Sequence, residues 1–467
     1  MDATLVTAWK SFCQMLEPAL AGPTATSLLH VLTGWVLCRS KPTVTNLVRT
    51  IGPQLLGVAA QNWTTYEQWF YRRSWSLAAM SRLLLTRVVA PLLASEGDGS
   101  AGGPGGPGGA KVIELKIDDT TCGRHGKHVA YAGYFKDASA SNVGQAVMRW
   151  SHNWVIGAVA LRCKRFSSWV TALPVLASLY RKEKDCDGQH PFLTRPQLAA
   201  QMVRDVRSAL PDWEIRVGVD GAYANQALLG ALPANANVVS RLRQDAALFA
   251  AAPKRRVRRR GRPRRYGRRL PTPRDLARRR KTGWRTITVR KGGKTVEREV
   301  WSLVCLWPRV CGDKPIKLVI VRDPAGKQKD DFFFCTDAGV DEVQIVERAY
   351  ARWSIEESIQ DAKQHHGFDE VQGWCPRTVE RQGPLALLVQ TLTKAWYLLH
   401  GVQARAAQPR GKEAWPWLPA KKHPSYLDML ATLRAVLWDD RINSKSPCQG
   451  NVREILKTLR FTLCAMA

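Results

Sequence analysis

Four acidic residues lie where their carboxylates could hold metal ions: Asp118, Asp119, Asp220 and Glu356. The first two follow one apolar segment and Asp220 follows another, so both places are predicted strand ends. Carboxylates at neighbouring strand ends, joined by one from a helix, suit hard divalent ions, which take oxygen ligands. Two such ions about 3.5–4 Å apart can activate a water or a 3′-hydroxyl and stabilise the leaving oxygen in phosphodiester chemistry. A strand-end Asp taken alone is more often a turn or cap residue.

The segment around Glu356 favours the metal interpretation. At about 100° per residue, Arg352, Glu356 and Lys363 fall on one helical face, whereas Glu357 points about 100° away. This face offers a carboxylate flanked by two cations, which could hold a metal ion and strand phosphates, respectively. The alternative is a solvated face of i,i+4 ion pairs.

The elements that must position these residues are predicted from hydrophobic periodicity. Strands are expected over 112–117, 155–161, 169–176, 213–219 and 237–240, and helices over 195–210 and 222–229. Four β-like segments follow, over 286–289, 300–306, 317–321 and 331–335, before a long helical pattern over 340–366. This order predicts an α/β fold, with a mixed sheet flanked by helices and interrupted by a β-rich insertion.

Changes in composition divide the chain into regions. Residues 1–95 have helical spacing and are predicted to form an all-helical N-terminal DNA-binding domain, either a helix-turn-helix or a plain bundle. A Gly/Pro-rich linker follows over 96–110. The remaining regions are predicted as a catalytic domain (111–245 and 336–400), a basic segment with the β-rich insertion (246–335) and C-terminal helices (401–467).

Positive charge is concentrated in one part of the chain. The net charge is +31, and residues 254–285 carry 17 Lys and Arg against one acid, or +16. Such a run points to a polyanion partner, usually nucleic acid. Within it, Arg260, Arg262, Arg264 and Arg265 belong to an Arg-Gly-Arg-Pro-Arg-Arg sequence that resembles an AT-hook core, which fits a narrow A·T minor groove. The alternative is a disordered phosphate binder without sequence preference.

Other features bear on the compartment. The eleven cysteines are scattered without a C-x-x-C pair, which favours reduced thiols in a cytosol. The longest apolar stretch, Ser27 to Cys38, is shorter than the roughly 20 residues that span a bilayer, so no membrane partner is expected. No signal peptide is predicted. His365 and His366 have no partner cluster and are expected to be solvated.

Taken together, the order and spacing of these motifs resemble the insertion-sequence transposases of the DDE superfamily, in the branch similar to insertion sequence four. That family's last signature is Tyr-x2-Arg-x3-Glu-x6-Lys, and Arg352, Glu356 and Lys363 match its last three positions. Ala349 occupies the Tyr position, and Tyr350 follows one residue late. The resemblance covers about residues 110–400.

The resemblance implies an RNase H-like core and a DNA transposase. Asp118, Asp220 and Glu356 would hold two Mg²⁺ (or Mn²⁺) ions, with Asp119 as the alternative first ligand. The cations of the same helix would contact phosphates near the cut. The enzyme would bind the terminal inverted repeats of its element, free their 3′-OH ends and join them to target DNA.

The same resemblance implies a dimer in the synaptic complex and a bacterial cytoplasm, close to the nucleoid. Two alternatives remain open at this point. One is an RNase H-like nuclease without strand transfer. The other is a degenerate or domesticated transposase that only binds DNA.

Overall fold

The structure is a computed structural model that describes residues 3–22, 24–97, 103–104, 111–137, 140–142, 144–166, 169–252, 264–406 and 421–443. The predicted basic residues Arg260 and Arg262 and parts of the predicted C-terminal helical region (401–467) lie outside these ranges. The helices are α1 (Ala3–Gln14), α2 (Thr24–Leu37), α3 (Val44–Ile51), α4 (Trp63–Tyr71), α5 (Leu77–Leu83), α6 (Ala90–Glu96), α7 (Arg195–Ala209), α8 (Gln226–Leu229), α9 (Pro273–Arg279), α10 (Pro308–Cys311), α11 (Glu342–Ala351), α12 (Trp353–His366), α13 (Pro376–Trp396), α14 (Val402–Ala406) and α15 (Tyr426–Asn443).

Most of the strands belong to one large mixed sheet. The strands are β1 (Gln54–Leu55), β2 (Val58–Ala59), β3 (Gly103–Pro104), β4 (Lys111–Gly123), β5 (Gly133–Lys136), β6 (Met148–Arg162), β7 (Val170–Tyr180), β8 (Glu214–Val219), β9 (Ala236–Arg241), β10 (Arg285–Lys291), β11 (Lys294–Leu306), β12 (Pro315–Arg322) and β13 (Asp331–Cys335). The sheet order is β10-β11-β12-β13-β9-β8-β4-β6-β5, with β3 beside β4 and β7 beside β6. The pairs β4–β8 and β8–β9 are parallel and the others are antiparallel. The predicted α/β class is confirmed, and the sheet with its helices is consistent with an RNase H-like fold.

The predicted β-rich insertion extends this same sheet. Its last strand, β13, pairs antiparallel with β9, and β12, β11 and β10 follow outward in order. Helix α11 covers this part of the sheet, where Ile345 and Val346 pack on Val319 and Phe333 in a separate small core. The insertion therefore carries the sheet surface on which the helix leading to Glu356 rests.

Helices cover both faces of the central strands. Met202 of α7 and Leu115 of β4 both lie near Gly157 on one face. Because successive side chains of a strand alternate, the neighbouring residues Glu114 and Lys116 point to the other face, which α11 and α12 cover.

The N-terminal helices pack against the rest of the chain in one shared core. Trp35 of α2 donates to the backbone oxygen of His366 at 3.0 Å, and the buried Arg381 of α13 donates to carbonyl oxygens of Trp69, Phe70 and Trp75. Polar and charged side chains thus join the N-terminal and C-terminal helices through backbone carbonyls.

One helical stretch is apolar over a greater length than the Ser27 to Cys38 segment that the sequence analysis took as the longest. Leu77–Glu96 is helical throughout, because a π-helical segment (Leu84–Val89) joins α5 to α6, and by length and composition it could cross a membrane. In the fold this stretch contacts β7, α7 and α13. Its last residue, Glu96, is buried and forms an ion pair with Arg165 at 3.1 Å. These contacts are typical of a helix packed in a protein core.

Two predicted boundaries near the acidic residues are wrong. Strand β4 continues past Asp118 to Gly123, because its antiparallel pairing with β6 continues after its parallel pairing with β8 has ended. The long helix predicted over 340–366 is two helices that meet at Arg352, where the N–H of Ile355 bonds three residues back instead of four. Arg352 itself keeps helical dihedral angles (φ −57°, ψ −33°), so the two helices stay nearly continuous.

Candidate active site

Asp118 and Asp220 lie side by side at the edge of the parallel part of the sheet. The last parallel pair between β4 and β8 is Ile117 with Val219, and the two aspartates are the next residues of these strands. Neighbouring strands lie about 4.8 Å apart, so the backbones of the two aspartates are close. Asp220 follows the end of β8 as predicted, whereas Asp118 lies within β4, directly after the last residue that pairs with β8.

Arg352 connects Asp118 to Glu356. Its guanidinium donates to Asp118 Oδ2 at 2.7 Å and to Glu356 Oε1 at 2.6 Å. The three side chains are 18–31% exposed, so the charges are partly withdrawn from water. Burial opposes the charge on Arg352, but the carboxylates of Asp118, Glu356 and, last, Asp220 hold its pKa above the usual value. All three predicted acids therefore act electrostatically on one guanidinium.

Lys363 reaches the same strand from α12. Its Nζ donates to Thr120 Oγ1 and to the backbone oxygen of Thr121, both at 2.8 Å. Thr120 is two residues after Asp118 and so lies on the same face of β4. The helical face predicted from Arg352, Glu356 and Lys363 thus lies against the Asp118 face of the strand.

The carboxyl group of Asp118 has a shifted pKa. Its pKa is raised to about 6. Burial is the largest cause, and the charges of Asp119 and Glu356 also raise the pKa. The Arg352 guanidinium and the backbone N–H of Asp119 act in the opposite direction. A crowded set of carboxylates that is partly neutralised by one cation is the electrostatic setting in which a metal ion would bind.

Asp119, the alternative first ligand, points to the opposite face of β4. Its carboxylate accepts hydrogen bonds from Tyr223 Oη at 2.9 Å, Asn153 Nδ2 at 3.0 Å and Arg195 Nη1 at 3.1 Å. It is therefore fully engaged away from Arg352 and Glu356.

A row of buried charges continues the Asp118 face toward the protein interior. Lys116 Nζ donates to Glu114 at 2.7 Å and to the backbone oxygen of Arg348 at 3.2 Å, and both side chains are about 1% exposed. The Arg348 guanidinium lies 3.8 Å from Glu114. These contacts dock the end of α11 on β4, just before Arg352. The sequence analysis missed them, since polar residues alternating with apolar ones in a strand are ordinarily predicted to face water.

Other predicted residues have different surroundings. Glu357 interacts electrostatically with Asp361 and Lys394, and burial first and then Asp361 raise its pKa. The solvated position expected for His366 is wrong: the residue is 1% exposed and hydrogen-bonded to Tyr426, because α15 covers the end of α12.

Of the predicted DNA-binding arginines in the basic segment, Arg264 and Arg265 are exposed, and Arg265 forms an ion pair with Asp313 at 2.9 Å.

The carboxylates of Asp118, Asp220 and Glu356 are chemically suited to a hard divalent cation, because such an ion prefers oxygen ligands. Their present arrangement is held by Arg352, and among the described residues no three acidic, His or Cys side chains are grouped closely enough to hold an ion. Metal binding at these carboxylates would therefore require Arg352 to release at least one of them.

A comparison with known families identifies the class. The model of the DDE superfamily endonucleases matches residues 16–296, more than half of the chain, so this chain belongs to that family. The match includes Asp118 and Asp220 and ends before Glu356. DDE endonuclease domains generally use divalent metal ions and act on DNA, which agrees with the chemistry of these three carboxylates. A search of the curated proteins found no match.

Proposed function

We propose that this chain is the DNA transposase of an insertion sequence, in the branch similar to insertion sequence four. It would bind the terminal inverted repeats, cleave phosphodiester bonds to free 3′-OH ends and join these ends to target DNA. The observation that carries the proposal is the Arg352 bridge between Asp118 and Glu356, with Asp220 on the neighbouring strand. We further propose a dimer in the synaptic complex and action at the nucleoid of a bacterial cell.

The proposed metal ligands are Asp118, Asp220 and Glu356. When bound, a pair of Mg²⁺ or Mn²⁺ ions would activate a water molecule or a DNA 3′-hydroxyl as the nucleophile and stabilise the leaving oxygen. Arg352, released from one carboxylate, would bind a phosphate oxygen of the scissile strand through its planar fork. Lys363 would place a compact positive charge at the Thr120 end of the same face, beside the path of that strand.

The charge distribution supports DNA as the substrate. Helix α9 has exposed arginines at positions 274, 278 and 279, while Leu276 and Ala277 anchor the helix in the core. An anchored helix with several exposed cations can neutralise a row of phosphates. We propose that α9 and the preceding basic run, with Arg264 and Arg265, bind DNA that flanks the cut, as do the N-terminal helices.

The test uses purified protein, Mg²⁺ and a plasmid that carries the inverted repeats flanking the gene. Wild type should nick at the repeat ends and form strand-transfer products, and Asp220→Asn should do neither while still binding the repeats. Nicking without transfer would instead identify a nuclease. Repeat binding without any nicking by wild type would identify a chain that only binds DNA. Either result would overturn the proposed transposase.

A further inference from the structure

The three donors on Asp119 come from three different elements. Asn153 belongs to β6, Arg195 begins α7, and Tyr223 lies in the short 3₁₀ turn Gly221–Tyr223 after β8. The Asp119 side chain is about one-fifth exposed, so these bonds are partly shielded from water. Hydrogen bonds to a charged group are stronger than hydrogen bonds between neutral groups. Asp119 therefore anchors surrounding elements to β4.

The bond from Tyr223 bears on the position of Asp220. Tyr223 is three residues after Asp220, and its backbone N–H donates to the Asp220 carbonyl oxygen at 3.0 Å. Its ring is 2% exposed, and burial, then the charge of Asp119, raise the pKa of its hydroxyl group, so it remains a protonated donor. The turn that follows Asp220 is thus tied at its far end to the strand that carries Asp118.

The turn has no equivalent restraint from Asp220 itself. Asp220 stands at the N-cap of the turn with extended dihedral angles (φ −72°, ψ 160°), but its side chain makes no capping hydrogen bond. An Asp at an N-cap usually accepts such a bond. Here the carboxylate is left for other partners, and the turn is held instead through the Tyr223 side chain.

We infer that Asp119 is a positioning residue, which acts through Tyr223 to hold the Asp220 turn beside Asp118. The inference rests on the proposed function, since it treats Asp118 and Asp220 as parts of one site. The two adjacent aspartates then have separate roles on opposite faces of β4. Asp118 belongs to the site, and Asp119 holds the turn that follows Asp220 against β4.

The main test is Tyr223→Phe, which removes the hydroxyl group and leaves the buried ring. Hydrogen–deuterium exchange should rise in the peptide covering residues 217–226, and the single-turnover nicking rate should fall about 10–100-fold, as for partners that orient metal ligands. The Kd for DNA should stay within about twofold. Asp119→Ala, which removes the acceptor, should act in the same direction, and adding Tyr223→Phe to it should not slow nicking further, because the bond between Tyr223 and Asp119 is already lost.

Tyr66→Phe is the matched control for the exchange measurement. Tyr66 is also buried and hydrogen-bonded, to His30 at 2.7 Å, but it lies in α4, among the N-terminal helices. It should leave exchange over 217–226 unchanged. The inference is overturned if Tyr223→Phe leaves both exchange and the nicking rate unchanged, or if Tyr66→Phe raises exchange over 217–226 as much.

The two hypotheses fail in different ways. If Asp220→Asn nicks DNA as fast as wild type, the proposed function fails, whereas exchange in Tyr223→Phe still reports on the turn. If Asp220→Asn is inactive and Tyr223→Phe matches wild type in exchange and rate, the positioning role fails and the proposed function stands.

Discussion

The guanidinium of Arg352 lies 2.7 Å from the carboxylate of Asp118, although the two residues are 234 positions apart in the chain. The same guanidinium binds Glu356 one helical turn later. A cation that holds two carboxylates together in this way stabilises the site and also occupies their oxygens. The predictions below follow from this ion pair and from the buried charges behind it.

The first prediction separates the two neighbouring glutamates of α12. Glu356→Gln should lower the nicking rate by at least about 10²-fold, because the proposed metal site loses one of its charged carboxylate ligands. Glu357→Gln should retain most of the activity, since Arg352 pairs with Glu356 and Asp118, and Glu357 lies about 100° around the helix from Glu356. Rates are measured on supercoiled plasmid in Mg²⁺, with folding checked by thermal melts. The opposite ranking would show that the wrong face of α12 was assigned to the site.

The second prediction concerns Lys363. Lys363→Ala should cost about 1.5–3 kcal/mol of unfolding free energy, because it removes charge-assisted bonds to Thr120 and Thr121. If Lys363 also binds the scissile strand, nicking should fall by about 10²-fold or more in protein that is still folded. Lys363→Arg should keep part of the stability and recover little of the rate, because a guanidinium does not replace a compact ammonium. Nicking at the wild-type rate in Lys363→Ala would restrict the residue to a structural role.

The third prediction is a pH dependence of stability in the metal-free chain. The folded-state pKa of Asp118, about 6, lies above its ordinary value of 3.8, chiefly because of burial. Between these two values the folded chain binds more protons at Asp118 than the unfolded chain, so the unfolding free energy falls as pH rises. Asp118→Asn removes this effect and should gain up to about 3 kcal/mol relative to wild type between pH 4 and pH 8.

Urea unfolding of both proteins in EDTA at several pH values measures this difference. Titrating groups far from Asp118 affect both proteins alike and cancel in the comparison. A constant difference between Asp118→Asn and wild type across the whole pH range would contradict the raised pKa.

The fourth prediction tests the buried charges. Gly218 of β8 lies directly beside Lys116, and a Cβ atom there would come within 2.8 Å of Lys116 Cδ and 3.1 Å of its Nζ. Lys116 is fully buried and cannot swing into water. Gly218→Ala should therefore destabilise the protein by about 1–3 kcal/mol, as overpacking does. Gly188→Ala is the control, since no atom lies within 4 Å of its Cβ position. Equal unfolding midpoints for the two variants would refute the packing argument.

The fifth prediction concerns DNA affinity. Replacing the exposed Arg278 and Arg279 of α9 by Gln should reduce the slope of log affinity against log salt by about 0.9 for each phosphate that the helix no longer neutralises. A matched change at the exposed Lys184 and Arg204 should leave the slope unchanged. Fluorescence anisotropy with labelled duplex at several salt concentrations measures both. An unchanged slope in the α9 variant would exclude this helix from the DNA interface.

The sequence by itself was sufficient to predict the class of fold. It also predicted the helical face that carries Arg352, Glu356 and Lys363. Hydrophobic periodicity is local, so α7 and most of the strands were predicted in the right places along the chain, although β4, β6 and β11 are longer than predicted. The spacing of Arg352, Glu356 and Lys363 is also local, because a helix repeats every 3.6 residues whatever surrounds it. The Arg352–Glu356 ion pair follows directly from that spacing.

Which of Asp118 and Asp119 shares a face with Arg352 and Glu356 was decided by the tertiary structure. Adjacent residues of a strand point to opposite faces, and helices cover both faces here, so the local pattern carries no information on which face meets α12. For the same reason the burial of Glu114 and Lys116 was not predicted. Their partner Arg348 is more than 200 residues away: its guanidinium lies near Glu114, and its backbone oxygen accepts from Lys116.

Pairing between distant segments settled the remaining features. Strand β4 extends past Asp118 because β6 is long enough to pair with it. The insertion joins the central sheet because β13 pairs with β9. His366 is buried because α15, some 60 residues later, covers it. Such contacts depend on which surfaces meet when the chain folds, and the local sequence specifies only the surfaces themselves.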